Sequence, residues 1–406
     1  MIPYALNKEK MVQWLAAIAL LLLFPGFYFY HQAVAAGLIP SVLGGFYSPV
    51  SLVLLLVYCF TIGQAARKVP CATGYTFALG TLLIWMVFWA FYSAGAQAPQ
   101  HHSEALLQLG RAFLAWGALF FTGLYLEPRQ RTLKGWALAA GLVIFLSLLL
   151  YVLQTGRIIY YAAQLHQTDN EIVATYQGFA RSALITSFLL VAVSRHLWAQ
   201  LLISSLAFFV LFVLSARSEF VALAFSLGFF FSIRSWQQTS RVVVPIVVFL
   251  FSVLFAYYFF DVITESRHFR MTDLAHDSAW QARILSIQEA WGRIKEQPLT
   301  GQFAGHFTGS VHNLYAHNVL SVWDGYGFWA FTLFLFVTGF PAGHAAYIAF
   351  FSPRLTPLEV FYCLVAWTCL LLMLVSKSMY WVLPGLSWGL YVNVKHRRRG
   401  LKGEPK

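Results

Sequence analysis

The chain has 406 residues, of which 59% are hydrophobic and only 10% charged, and its mean hydropathy is +0.67. Soluble domains carry roughly a quarter charged residues, so these values exclude that class and specify a polytopic integral membrane protein. The net charge of +12 does not point to nucleic acid, because the basic residues fall in loops between apolar runs.

Roughly 20 apolar residues cross a bilayer as one helix. On that measure the sequence predicts about twelve spans, near 12–31, 49–66, 74–94, 105–126, 135–153, 179–194, 197–215, 218–233, 241–260, 325–351, 359–375 and 378–394. The first follows a short charged stretch with no small-residue cleavage site after it, and reads as a retained helix. The fold class is all-α, with one integral-membrane domain over residues 1–406, no internal repeat and no low-complexity segment. Lys and Arg are enriched in cytoplasmic loops. With both termini inside, that side receives Lys8, Lys10, Arg67, Lys68, Arg129, Arg131, Lys134, Arg195, Arg234, Arg241, Arg354 and the basic tail from Lys395. The opposite orientation would put that tail outside.

This topology sends the 154–178 loop, Arg217 and a long polar loop, 261–317, to the outer side. Within the long loop, about Ser278 to Glu296 reads as an amphipathic helix with Ile284, Ile287, Ala290, Trp291 and Ile294 on one face. It either lies on the membrane surface or packs on neighbouring loops, and Pro298 ends it. The loop closes on Val311-His-Asn-Leu-Tyr-Ala-His317-Asn-Val-Leu-Ser-Val-Trp-Asp-Gly-Tyr-Gly327, which brings imidazoles to the start of an apolar helix.

The four cysteines, Cys59, Cys71, Cys363 and Cys369, have no metal-site spacing and read as packing residues. No His/Asp/Glu set has metal spacing either, so neither a metal nor another cofactor is expected. Arg217 reads as an interfacial anchor or as a donor fork for phosphate oxygens, with Glu219 as a neighbour able to pair with it. Arg283 opens the amphipathic helix. With Arg267, Arg270, Arg293 and Lys295 it either faces water or binds an anionic headgroup. Arg181 and Lys377 add positive charge on the outer side. Arg111 lies inside the fourth span, where a charge is paired, snorkelling or functional. His317 and His312 are the candidate general bases, since imidazole titrates near neutral pH; structural roles are the alternative. Asp324, two helical turns beyond His317, is placed to orient that ring. His306 and His276 are weaker candidates.

Three motifs, in order, resemble the O-antigen ligase and O-antigen polymerase superfamily of bacterial envelopes: Leu-Ser-Ala-Arg217-Ser ahead of an apolar helix; Ala-Arg283-Ile-Leu-Ser-Ile-Gln-Glu-Ala-Trp running on to Lys-Glu-Gln-Pro-Leu-Thr-Gly301; and His-Asn followed by glycine and an apolar span. The likeness covers about 180–345, and the N-terminal half matches in hydropathy only. Gly327 falls ten residues after His317, where the family usually has eleven. The resemblance implies a bacterial inner-membrane enzyme with its active site on the periplasmic side. The donor is a glycan on undecaprenyl pyrophosphate and the acceptor is lipid A–core; membrane lipids surround the protein. Arg217 and Arg283, supported by Arg181, would neutralise the leaving pyrophosphate. His317, or alternatively His312, would deprotonate the acceptor hydroxyl, in an inverting, metal-independent displacement. O-antigen ligase is the leading expectation. A polymerase of lipid-linked repeats, a protein-glycosylating ligase and a lipid-linked glycan transporter are the alternatives. Because the polar residues gather at the outer face rather than at the midplane, an enzyme is favoured over a transporter.

Overall fold

A computed structural model describes residues 2–35, 38–40, 46–65, 73–93, 99–156, 160, 176–236, 278–307 and 315–403, and among these residues there is no strand. The helices are α1 (Ile2–Leu21), α2 (Phe27–Ala35), α3 (Tyr47–Ala65), α4 (Thr73–Tyr92), α5 (Pro99–Tyr125), α6 (Arg131–Thr155), α7 (Tyr176–Val193), α8 (Leu197–Val213), α9 (Arg217–Trp236), α10 (Ser278–Glu296), α11 (Leu320–Phe351), α12 (Pro357–Val375) and α13 (Leu383–Gly403). A π-helical turn, Leu22–Gly26, joins α1 to α2 and contains Pro25. Proline lacks the N–H of a helical ladder and crowds the carbonyl one turn back, and the wider turn relieves both faults.

Among the described residues, six stretches are long and apolar enough to cross a membrane: Glu9–Val34, Gly74–Tyr92, His101–Tyr125, Arg131–Thr155, Leu320–Phe351 and Pro357–Val375. The described part of the protein is therefore helical, without strands, and of membrane character. Tyr47–Ile62, Gln177–Val193 and Leu197–Val213 are shorter apolar helices. The span predicted at 241–260 and the long loop up to residue 277 lie outside the described residues, as do Cys71, Arg267, Arg270, His276 and His312. The last helix begins at Leu383 rather than near 378. Pro384 fits only the first turn of a helix, and 376–382 forms a turn before it.

The chain divides into two compact, interleaved units. The first comprises Met1–Ala66, Tyr125–Asp273 and Ala345–Thr368. Its centre is α7, where Phe179, Leu184, Ile185, Phe188 and Val191 are all buried. Helices α7, α8 and α9 are joined by connectors of three residues each, so they run alternately up and down. The α8–α9 reversal is a Schellman turn: the Ala216 N–H bonds the Leu211 carbonyl at 3.2 Å and the Ser215 N–H bonds that of Phe212 at 2.9 Å. Ser215 occupies the left-handed position, with φ 54°. Arg181 and Arg217 thus lie at one end of this unit, with Arg195 and Arg234 at the other.

The second unit comprises Arg67–Leu124, Leu274–His344 and Cys369–Lys406. Here α13 lies directly on α5. A Cβ on Gly385 would stand 2.5 Å from the Trp116 carbonyl oxygen, and one on Gly123 would stand 2.7 Å from that of Leu386. Small residues permit this backbone approach in a membrane helix pair. The Asn393 amide donates to the Gly123 carbonyl (2.9 Å) and the Trp116 indole to that of Trp381 (2.7 Å). The turn before α13 is fixed by this pair.

Candidate functional site

The site grows from the place where α10 meets the start of α11. The inward face of α10 carries Ser286, Ala290 and Ile294, all buried, with Arg283 and Arg293 half-buried alongside. Ile284 and Trp291, expected on a single apolar face with these, are exposed instead. The reason is that Arg293 turns inward. Its guanidinium grips Asp324 with two bonds, Nε to Oδ1 at 2.8 Å and a terminal nitrogen to Oδ2 at 2.7 Å. The expectation that Asp324 orients His317 is corrected by this geometry, since both carboxylate oxygens are engaged by Arg293.

Beyond α10 the chain passes across α11 backbone to backbone. The Gln302 N–H bonds the Asp324 carbonyl (2.6 Å), the Phe328 N–H bonds that of Pro298 (3.1 Å), and the Trp323 indole donates to the same Pro298 oxygen (2.8 Å). Two glycines make the crossing feasible. Gly301 and Gly327 have φ of 69° and 79°. A Cβ on Gly301 would stand 2.5 Å from the Gly327 nitrogen, and one on Gly327 would collide with the Leu299 carbonyl oxygen. The end of the Arg283 motif and the glycine of the His-Asn motif are therefore one structural joint.

His317 sits just ahead of α11. The Asn318 side-chain oxygen caps the helix by accepting the Leu320 N–H (3.0 Å). Ser321 donates to the Asn318 carbonyl (2.8 Å) and accepts the Met379 N–H (2.8 Å), which ties the turn before α13 to the His317 segment. That turn delivers Lys377, which is only 5% exposed and lies 5.9 Å from the Trp381 ring. The Tyr315 ring lies 5.0 Å from His317, 5.9 Å from His306 and 6.2 Å from Tyr380. Tyr315 also hydrogen-bonds Ser378, and burial holds its phenol above the ordinary range despite that bond.

These surroundings set the state of the imidazole. Burial lowers the His317 pKa below its usual value, and the positive charges of Arg283 and Lys377 lower it further. At neutral pH His317 is thus an uncharged proton acceptor flanked by two cations, which suits it to take a proton while the cations hold an anion. Among the described residues, no group of three or more His, Cys, Asp or Glu is placed to hold a metal ion.

Arg283 and His317, predicted separately, are brought together with Lys377. Arg181 and Arg217 belong to the first unit. Arg181 is half-buried, its guanidinium carbon 4.4 Å from the Tyr47 ring centroid and 5.5 Å from that of Phe27, while Arg217 opens α9. Next to it Glu219 is buried and accepts a bond from Ser218 (2.8 Å). Arg111 is exposed on α5. Sequence reasoning missed Tyr315, Ser321 and Tyr380. The only signal for the first two was their position inside the His-Asn stretch, and Tyr380 gave none. Compared with known proteins, the chain matches no family model and no curated protein.

Proposed function

We propose that this protein is an O-antigen ligase of the bacterial inner membrane, with twelve spans, both termini cytoplasmic and its site on the periplasmic side. The acceptor is lipid A–core and the donor is undecaprenyl-pyrophosphate-linked glycan. The observation that carries the reading is the His317 imidazole, kept uncharged by burial beside Arg283 and Lys377. In the reaction an acceptor hydroxyl oxygen bonds to the anomeric carbon as the bond from that carbon to the pyrophosphate oxygen breaks. The hydroxyl proton passes to His317. The electron pair leaves with the lipid pyrophosphate, whose charge Arg283 and Lys377 neutralise. Single displacement inverts the anomeric centre. The sequence resemblance assigns the same anion to Arg217 and Arg181.

A gel of lipopolysaccharide from a strain lacking the gene, complemented by wild type or His317→Ala, tests the reading. Core with no attached repeat and polymer retained on the lipid carrier supports a ligase. Core bearing a single repeat makes the protein the polymerase, which shares the donor chemistry. An unchanged pattern in the deletion strain rejects both and leaves a protein acceptor or a transporter, and only an enzyme would transfer glycan after purification in detergent. A normal pattern with His317→Ala rejects His317 as the base and leaves His312.

A further inference from the structure

The first unit contains a cavity of about 780 Å³ at the end opposite Arg181 and Arg217. Its rim is cationic: Arg129 comes from the α5–α6 connector, Arg131 and Lys134 from the start of α6, Arg195 from the α7–α8 connector, and Arg234 from the last turn of α9. Its floor is apolar, made by Ala192, Val193, Phe230 and Val360. None of the lining residues is acidic. The nearest carboxylates along the chain each hold a backbone N–H. Glu127 accepts the Arg129 N–H at 3.2 Å, and Glu359 forms a capping box with Thr356 at the start of α12, accepting the Thr356 N–H at 2.7 Å.

Backbone donors add to the same field. Helices α6 and α8 both begin at this cavity, and neither N-cap residue, Gln130 or His196, makes a side-chain capping bond. The opening N–H groups of both helices are thus not capped by their N-cap residues, and that end of a helix attracts anions. Gln200 meanwhile donates to the Val191 and Ser194 carbonyls at 3.2 and 2.9 Å. It thereby covers the negative end of α7 that would otherwise face into the cavity.

We propose that this cavity is a binding site for a phosphate-bearing anion, separate from the glycan site. An oxygen-rich phosphate would meet the rim, and a short apolar stem would lie on the floor. Two sources share that chemistry: the headgroup and glycerol of an anionic phospholipid, or free inorganic phosphate. The volume lies within the range of small-molecule sites, about 300–1,000 Å³. A bare phosphate leaves the apolar floor uncovered, whereas a phosphodiester lipid covers both surfaces.

The test uses the full-length protein, purified in detergent and stripped of lipid, with phosphatidylglycerol or phosphatidylcholine added and binding followed by native mass spectrometry. Arg131, Lys134 and Arg195 are exposed, so Gln substitutions there leave the folded core intact, and unchanged thermal unfolding verifies it. Arg111→Gln serves as a control for loss of one exposed charge elsewhere. Phosphatidylglycerol is expected to bind tighter than phosphatidylcholine. Removing each rim cation costs about fivefold in affinity and the triple variant about a hundredfold, with Arg111→Gln unchanged. Displacement of the lipid by millimolar inorganic phosphate in the wild type supports the site and names free phosphate as its source; lipid retention in phosphate names the headgroup. Equal binding of the two lipids with no binding of phosphate, or a triple variant that binds as the wild type does, overturns the proposal.

Discussion

The joint between α10 and α11 depends on one ion pair, and removing half of it has a calculable effect. Arg293 and Asp324 have side chains only 11% and 5% exposed and share two bonds of 2.8 and 2.7 Å. Arg293→Met keeps an unbranched apolar stem but leaves the Asp324 carboxylate without its charged partner. Breaking a buried pair from one side costs about 3–5 kcal/mol, while replacing both partners by apolar residues of similar size is close to neutral. The pair fastens α10 to α11, so the loss should appear first as easier local opening of Ser278–Glu296. Hydrogen exchange of that helix in detergent should accelerate by about a hundred- to a few-thousand-fold, with little change in α7. The double variant Arg293→Met/Asp324→Leu should recover most of the protection. Glu289 reaches Arg293 only at 4.0 Å, one helical turn away on α10 itself, so it does not tie α10 to α11 and cannot replace Asp324. An Arg293→Met effect below about tenfold, or a double variant no better than the single, would refute the claim that this pair holds the joint.

Gly327→Ala should lower thermal stability by about 1–3 kcal/mol from the backbone alone, since φ 79° with ψ 179° is a region essentially reserved for glycine, with further loss from the collision at Leu299; a transition matching wild type would sink the crossing argument. Ser215→Gly removes left-handed strain and a buried hydroxyl with no hydrogen-bond partner, and should raise stability by about 0.5–1 kcal/mol in the same assay. Transfer activity should fall as pH drops through the lowered His317 pKa, because only the uncharged imidazole accepts a proton. Lys377→Met removes one of the charges that lower that pKa, so the acid limb of the rate profile should move to higher pH, and an unmoved limb would discard the coupling. The same sign applies to folding: the His317 contribution is present above its unfolded pKa and is lost as pH falls through the folded one. Arg217→Ala and Arg181→Ala should each cut transfer by about 10²–10³-fold at normal expression if they bind the leaving pyrophosphate, and full activity would remove that residue from the mechanism.

Much of the architecture was legible because hydropathy acts along the chain. Runs of apolar residues locate α3 to α9 and α11 to α13, and the spacing of Ala290 and Ile294 together with Pro298 locates α10 with its end. The basic-loop rule also grouped residues that meet: Arg129, Arg131, Lys134, Arg195 and Arg234 share one cavity. What escaped was set by tertiary neighbours. Asp324 lies at helical spacing from His317, which suggested an orienting contact, yet a carboxylate takes the strongest available donor, and the Arg293 fork reaches it from another helix. From sequence Lys377 reads only as a positive charge in an outer turn, because nothing local shows that Ser321 pulls the Met379 backbone against the His317 segment.

The same joint explains how a charged, loop-rich segment can hold the proposed base, His317, steady. A general base is useful only if its position and protonation state are both fixed before the acceptor arrives. In the second unit these two requirements are met by different residues. Position comes from Asn318 and Ser321, which cap α11 and bind the neighbouring turn, and from the Gly301–Gly327 crossing, which leaves no room for a side chain. Protonation comes from burial and from Arg283 and Lys377, whose charges keep the proton off the ring. It follows that the two sets should separate on mutation. Ser321→Ala should lower the maximal rate while leaving the acid limb in place, because it loosens the turn without removing a charge. Lys377→Met should shift the limb. A shifted limb in Ser321→Ala would mean that Lys377 acts on His317 only through the position Ser321 gives it, and that the two functions share one support.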